Sequence, residues 1–109
     1  MKWNNLQSVK QLEDIDSASN DGIQMIFKHS TRCSISTMAK SRLEKNWAEK
    51  LNVTPYYLDL IQHRDISLAI ADRYNVHHES PQILIIKNGE SIHDASHLDI
   101  SVKEIEDVL

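Results

Sequence analysis

The chain carries one cysteine, Cys33, in the run Ser30-Thr31-Arg32-Cys33-Ser34-Ile35-Ser36. It falls between a short apolar stretch and a long helical pattern. At a helix start, free backbone N–H groups and the positive end of the helix favour a thiolate, the form of cysteine that attacks. Arg32 sets a cation beside it. A dithiol redox motif would need a second cysteine where Ser36 stands. A lone thiol forms a mixed disulfide and depends on an external thiol for release. Three plainer readings compete. Free cysteine is often a small buried hydrophobe. Arg32 has the plainer reading of a solvated surface charge. Ser36 is either a first-turn helix residue or a hydroxyl donor to the sulfur.

Other constellations are weaker. The chain has six histidines, but neither Cys-x-x-Cys nor His-Glu-x-x-His occurs. His77-His78-Glu79 are consecutive and diverge if extended. His93 and His97 fall on a strand and the turn after it. Surface or loop histidines are the reading, with no metal expected. A Cys-x5-Arg phosphatase loop would need arginine at Ala39. No histidine can be assigned as the base of a cysteine hydrolase, and the chain is short for a peroxiredoxin.

The elements that must position Cys33 follow from patterning. Trp3, Leu6, Val9, Leu12 and Ile15 repeat near helical spacing, which predicts a helix over 3–15. Residues 23–29 are apolar and rich in strand formers, so a buried strand is expected. Ser30 or Thr31 caps a second helix over 33–51, with Ile35, Met38, Ala39, Leu43, Trp47 and Leu51 on its inner face. A strand over 56–61 and a helix over 65–74 come next, the latter burying Ile66, Ala69, Ile70 and Tyr74. Residues 82–87 form a third strand directly after Pro81. Asn88-Gly89 signals a hairpin to a strand over 90–95. Ser101, with Glu104 three residues on, caps a last helix. Trp3 and Trp47 read as helix–sheet packing.

With 109 residues, 40% hydrophobic and 26% charged, the chain reads as one domain over 1–109. A net charge of −4 gives nucleic acid no electrostatic reason to bind. No apolar run is long enough for a bilayer and no signal-peptide pattern opens the sequence. One cysteine precludes an internal disulfide, and a reducing cytoplasm is the expected location.

The order α-β-α-β-α-β-β-α implies parallel strands joined by right-handed crossovers, closed by an antiparallel hairpin. That is a thioredoxin-like α/β arrangement: a four-stranded mixed sheet, parallel core plus C-terminal antiparallel hairpin, with helices on both faces. The fold places its reactive cysteine after the first core strand, as here. It also carries a proline, usually cis, before its third core strand. Ser80-Pro81 stands there, 48 residues after Cys33. An extended sulfur-bearing substrate can pair with backbone beside such a proline.

Four segments together resemble the monothiol bacilliredoxin family. They are Phe27-Lys28-His29-Ser30-Thr31-Arg32-Cys33-Ser34-Ile35-Ser36; Tyr57-Leu58-Asp59-Leu60-Ile61 with His63-Arg64-Asp65-Ile66-Ser67; His78-Glu79-Ser80-Pro81-Gln82; and Lys87-Asn88-Gly89 with Ala95-Ser96-His97. The resemblance implies thiol–disulfide exchange with bacillithiol, a cysteinyl-glucosamine-malate thiol, as co-substrate and no bound cofactor. Cys33 would be the nucleophile that removes bacillithiol from S-bacillithiolated client proteins. Thr31, Arg32, Ser34, Ser36, Ser80 and Pro81 would bind substrate, and Arg32 or Lys28 would hold the malate carboxylates. The family usually has proline after the cysteine; Ser34 replaces it and restores an N–H near the sulfur. The alternatives are a non-catalytic adaptor whose Cys33 is modified under stress, and a cluster carrier. The latter's Cys-x-x-Ser motif has Gly and Phe where Ser34 and Ile35 stand.

Overall fold

The computed structural model describes residues 1–48 and 51–109. A five-stranded sheet in the order β1-β3-β2-β4-β5 forms its centre. The strands are β1 (Asn4–Asn5), β2 (Ile23–His29), β3 (Val53–Asp59), β4 (Gln82–Lys87) and β5 (Glu90–Ser96). The helices are α1 (Gln11–Ala18), α2 (Ser34–Asn46), α3 (Arg64–Tyr74) and α4 (Val102–Val108).

β2 is buried at nearly every position because both of its faces are covered. Met25 and Phe27 join Ala39, Leu43, Ile83, Ile85 and Ile105 under α2 and α4. Ile26 joins Leu12, Ile15, Leu58, Ile66, Ile70 and Leu84 under α1 and α3. Successive β2 side chains therefore point to opposite helical layers.

Several expectations need correction. The sheet has five strands, not four, because Asn4–Asn5 pairs parallel to Tyr56 and Tyr57 of β3. Leu6 extends that edge by donating its N–H to the Tyr57 carbonyl, 2.8 Å away. The helix expected over 3–15 is therefore confined to Gln11–Ala18. The Trp3-Leu6-Val9 spacing belongs to non-helical chain, in which Trp3 stacks on Phe27 and Leu6 enters the core. Gln11 marks the changeover, its Oε1 accepting the Gln7 and Ser8 N–H groups at 2.6 and 2.9 Å.

β2 and β3 are parallel as expected, but β4 runs antiparallel to β2, with Lys28 opposite Gln82. The right-handed crossover rule constrains only parallel neighbours. Residues 75–81 return the chain to the sheet at the end where β2 finishes.

α2 differs from the expected helix in extent and in facing. Its N-cap is Cys33 itself, and it ends at Asn46 with Trp47 already extended. The expected continuation through residues 49 and 50 lies outside the described residues. Ser36, Ala39 and Leu43 face the sheet, while Ile35 and Met38 are 45% and 59% exposed. Small side chains at 36 and 39 form the contact stripe, which rotates the larger ones outward.

β3 begins at Val53, three residues before the expected 56, and ends at Asp59 instead of 61; elsewhere the patterning holds. Asn88 and Gly89 both take positive φ, 51° and 76°, as a two-residue hairpin turn requires. Ser101 Oγ accepts the Glu104 N–H at 3.2 Å and caps α4. Among the described residues, no helix is long and apolar enough to cross a membrane.

Candidate active site

β2 delivers the chain to the site and α2 begins it. Cys33 is half-exposed and takes φ −110°, ψ 120° at the helix N-cap. Its N–H donates to the Ser30 carbonyl at 3.2 Å, closing the turn that leaves β2. Its carbonyl accepts the Thr37 N–H at 3.0 Å and the Thr37 hydroxyl at 3.2 Å. The thiol thus stands at a helix mouth, where first-turn N–H groups lack intrahelical acceptors. Thr31, Arg32 and Ser34 are all exposed around it. The Arg32 guanidinium has no hydrogen-bond or ion-pair partner among the described residues.

Ser36 is placed differently from its neighbours. It is fully buried. Its Oγ accepts the Ser30 N–H at 3.0 Å and lies 2.6 Å from His29 Nδ1. Burial first, and the Lys40 charge second, lower the His29 pKa, against a raising contribution from Asp59. The Ser36 hydroxyl and a neutral His29 imidazole are thus hydrogen-bonded to each other at Nδ1. The hydroxyl is fully engaged and braces the 30–33 turn from beneath instead of facing a substrate or donating to the sulfur. The His29 ring packs between Phe27 and Tyr57, at 5.6 and 5.5 Å.

The peptide bond Ser80-Pro81 is cis. The β2–β4 register ends with Lys28 opposite Gln82, so residues 30–33 and 80–81 leave the sheet at one end. Pro81 is buried and its carbonyl accepts the His97 N–H at 3.0 Å. Ser80 is half-buried, and its Oγ is buried without a hydrogen-bond partner among the described residues.

Sequence reasoning missed two side chains here. His29 was read only as a strand residue, although strand alternation from Phe27 puts it on the α2 face. Lys28 was considered only as a cation to hold the malate carboxylates, yet it is fully buried on the α1/α3 face. Its Nζ donates to the Ser67 carbonyl at 3.2 Å and lies 3.2 Å from His78 Nδ1. Desolvation lowers its pKa to about 8. The signal was available: a lysine inside a strand expected to be covered on both faces must be buried.

These features define a class, the thioredoxin-like proteins, here with a free cysteine at the mouth of α2 and a cis-proline at the same sheet end. Solved structures agree. One described as a candidate oxidoreductase with a thioredoxin fold superposes with TM-score 0.84 at 35% identity, covering 95% of this chain and 90% of that one. The thioredoxin of Trypanosoma brucei brucei gives 0.75 at 17% identity, over 98% of this chain and 90% of its own. That of Fasciola hepatica gives 0.73 at 18%, over 96% and 95%. The last two share the fold. The family model of monothiol bacilliredoxin BrxC matches residues 4–105, and the chain belongs to that family.

Proposed function

We propose that this protein is a monothiol exchange catalyst that removes bacillithiol from S-bacillithiolated proteins in a reducing cytoplasm. The supporting observation is the single thiol, half-exposed at the α2 N-cap with Ser36 buried where a second thiol would sit.

The chemistry balances without a resident cofactor. The Cys33 thiolate attacks the bacillithiol sulfur of the client's mixed disulfide. The client cysteine leaves as a thiolate, and a Cys33–bacillithiol disulfide forms. A second bacillithiol thiolate attacks the bacillithiol sulfur of that adduct, regenerating Cys33 and releasing oxidised bacillithiol. Two electrons pass from bacillithiol to the client, and the protein ends unchanged. Exposed Thr31, Arg32 and Ser34 are suited to meet the incoming disulfide, and Arg32 to pair with a malate carboxylate. The backbone beside Ser80-Pro81 offers a strand-like edge to the same substrate.

Intact mass after incubation with oxidised bacillithiol tests this. Wild type is expected to gain one bacillithiol, reversed by the reduced thiol, and Cys33→Ser to gain none. An unmodified wild type would reject the reading.

A further inference from the structure

Lys28 takes no part in the exchange steps above, and its surroundings are unusual. Its ammonium is fully buried, and both its partners, the Ser67 carbonyl and His78 Nδ1, are uncharged when His78 is neutral. Among the described residues no carboxylate lies within ion-pair distance of it. A buried cation without an anion is costly, and such groups normally pair or neutralise.

His78 connects this charge to the surface. Its Nδ1 faces both Lys28 Nζ and Ser67 Oγ, each 3.2 Å away. Two donors on Nδ1 put the ring proton of a neutral imidazole on Nε2. His78 itself is exposed, and that N–H has no partner among the described residues. His78 lines a cleft of about 150 Å³ together with Leu60, Arg64, Ser67 and Leu68, and a neighbouring one that carries Asp72. No acidic side chain lines the first cleft. Glu79, adjacent in sequence, lies 3.7 and 3.6 Å from His77 and His97, and its charge also reaches His78 but does not line the cleft. The Arg64 guanidinium has no partner among the described residues. The cleft therefore has two leucines for walls, charged and neutral N–H donors on its rim, and an uncompensated ammonium behind it.

We propose that this cleft binds a small oxyanion, a carboxylate or phosphate group, which supplies the counter-charge that Lys28 lacks. Arg64 and the His78 Nε2–H donate to the anion, and Lys28 acts through its field from behind Ser67 and His78. The volume is that of roughly five water molecules, which suits such a group. The site lies on the α1/α3 face of the sheet, opposite the α2 layer, and does not depend on the thiol reading.

Amide and imidazole NMR of the full chain tests it. Acetate and inorganic phosphate are titrated separately, at constant ionic strength against chloride. Saturable shifts at Arg64, Ser67 and His78 are expected with at least one of them, the tighter binder naming the class. Lys28→Met and Arg64→Ala should each raise the dissociation constant at least tenfold. His78→Ala provides a third arm should Lys28→Met lose its dispersed spectrum. Shifts that only track chloride, or saturation unaltered in the folded variants, would overturn the proposal.

Discussion

Ser36 occupies the place of a resolving thiol, and its hydroxyl is committed inside the fold. Ser36→Ala leaves the Ser30 N–H and His29 Nδ1 without their partner in a buried setting. The expected cost is about 1–3 kcal/mol, seen as a lower urea midpoint at unchanged m-value. Cys33 should still form its adduct, because the sulfur itself is untouched. Lys28 makes the opposite case. Its folded pKa, about 8, lies below its ordinary 10.5. The unfolded chain therefore binds more protons between those values, and stability from this group rises with pH across pH 8 to 10.5. Below pH 8 the full burial cost is present, about 3 kcal/mol at most. Lys28→Met should thus be more stable than wild type at pH 7, with the gap closing toward pH 10 in denaturant titrations. Equal stabilities at pH 7 would show that the buried charge is compensated.

At the scale of elements, α1 and α3 are tied by one carboxylate. Asp16, near the end of α1, accepts the Tyr74 hydroxyl at 2.5 Å and the Arg73 Nε–H at 2.6 Å, both from the last turn of α3. Tyr74 is buried, and burial with the nearby Asp16 charge raises its pKa. Asp16→Ala should cost about 1–3 kcal/mol, mostly from the orphaned hydroxyl. Hydrogen exchange should then quicken in α1 and α3 before the β2–β4 pairing loosens. Element types were legible wherever a pattern was long or a turn had a marked chemistry. α3, β4, the Asn88-Gly89 hairpin and the Ser101 cap of α4 are where periodicity and turn residues put them. The N-terminal segment was not, since a three-residue spacing of apolar groups also arises when an edge strand leads into a short helix. The inner face of α2 was misjudged for a related reason. Hydrophobicity picks large apolar residues, whereas the sheet accepts Ser36 and Ala39 and leaves Met38 outside.

Over the whole molecule, titration works in two directions. Burial lowers the His29 pKa, and partial desolvation with the Lys28 charge beside it lowers that of His78. The unfolded chain takes up those protons first, so stability falls as pH drops below about 6.5. Tyr56, Tyr57 and Tyr74 have raised pKa values, mainly from burial, so their contribution is lost as pH climbs above about 10. Together with Lys28, these groups set a stability maximum on the alkaline side of neutrality. Thermal unfolding across pH 5 to 11 checks this; a maximum near pH 6 would contradict the desolvation of these side chains.

What the sequence determined alone was local. One thiol before a helical pattern, a serine in place of a second thiol, and a proline before an apolar strand are covalent facts about neighbours in the chain. They were enough to resemble one family. The tertiary structure decided everything that depends on residues far apart in sequence. It ran β4 against β2, added β1 at the edge, turned Ser36 onto His29 and sealed Lys28 between Ser67 and His78. Burial and hydrogen-bond partners are set by which layer covers each face of a strand. That is a property of the assembled sheet and helices, and no short window of sequence carries it.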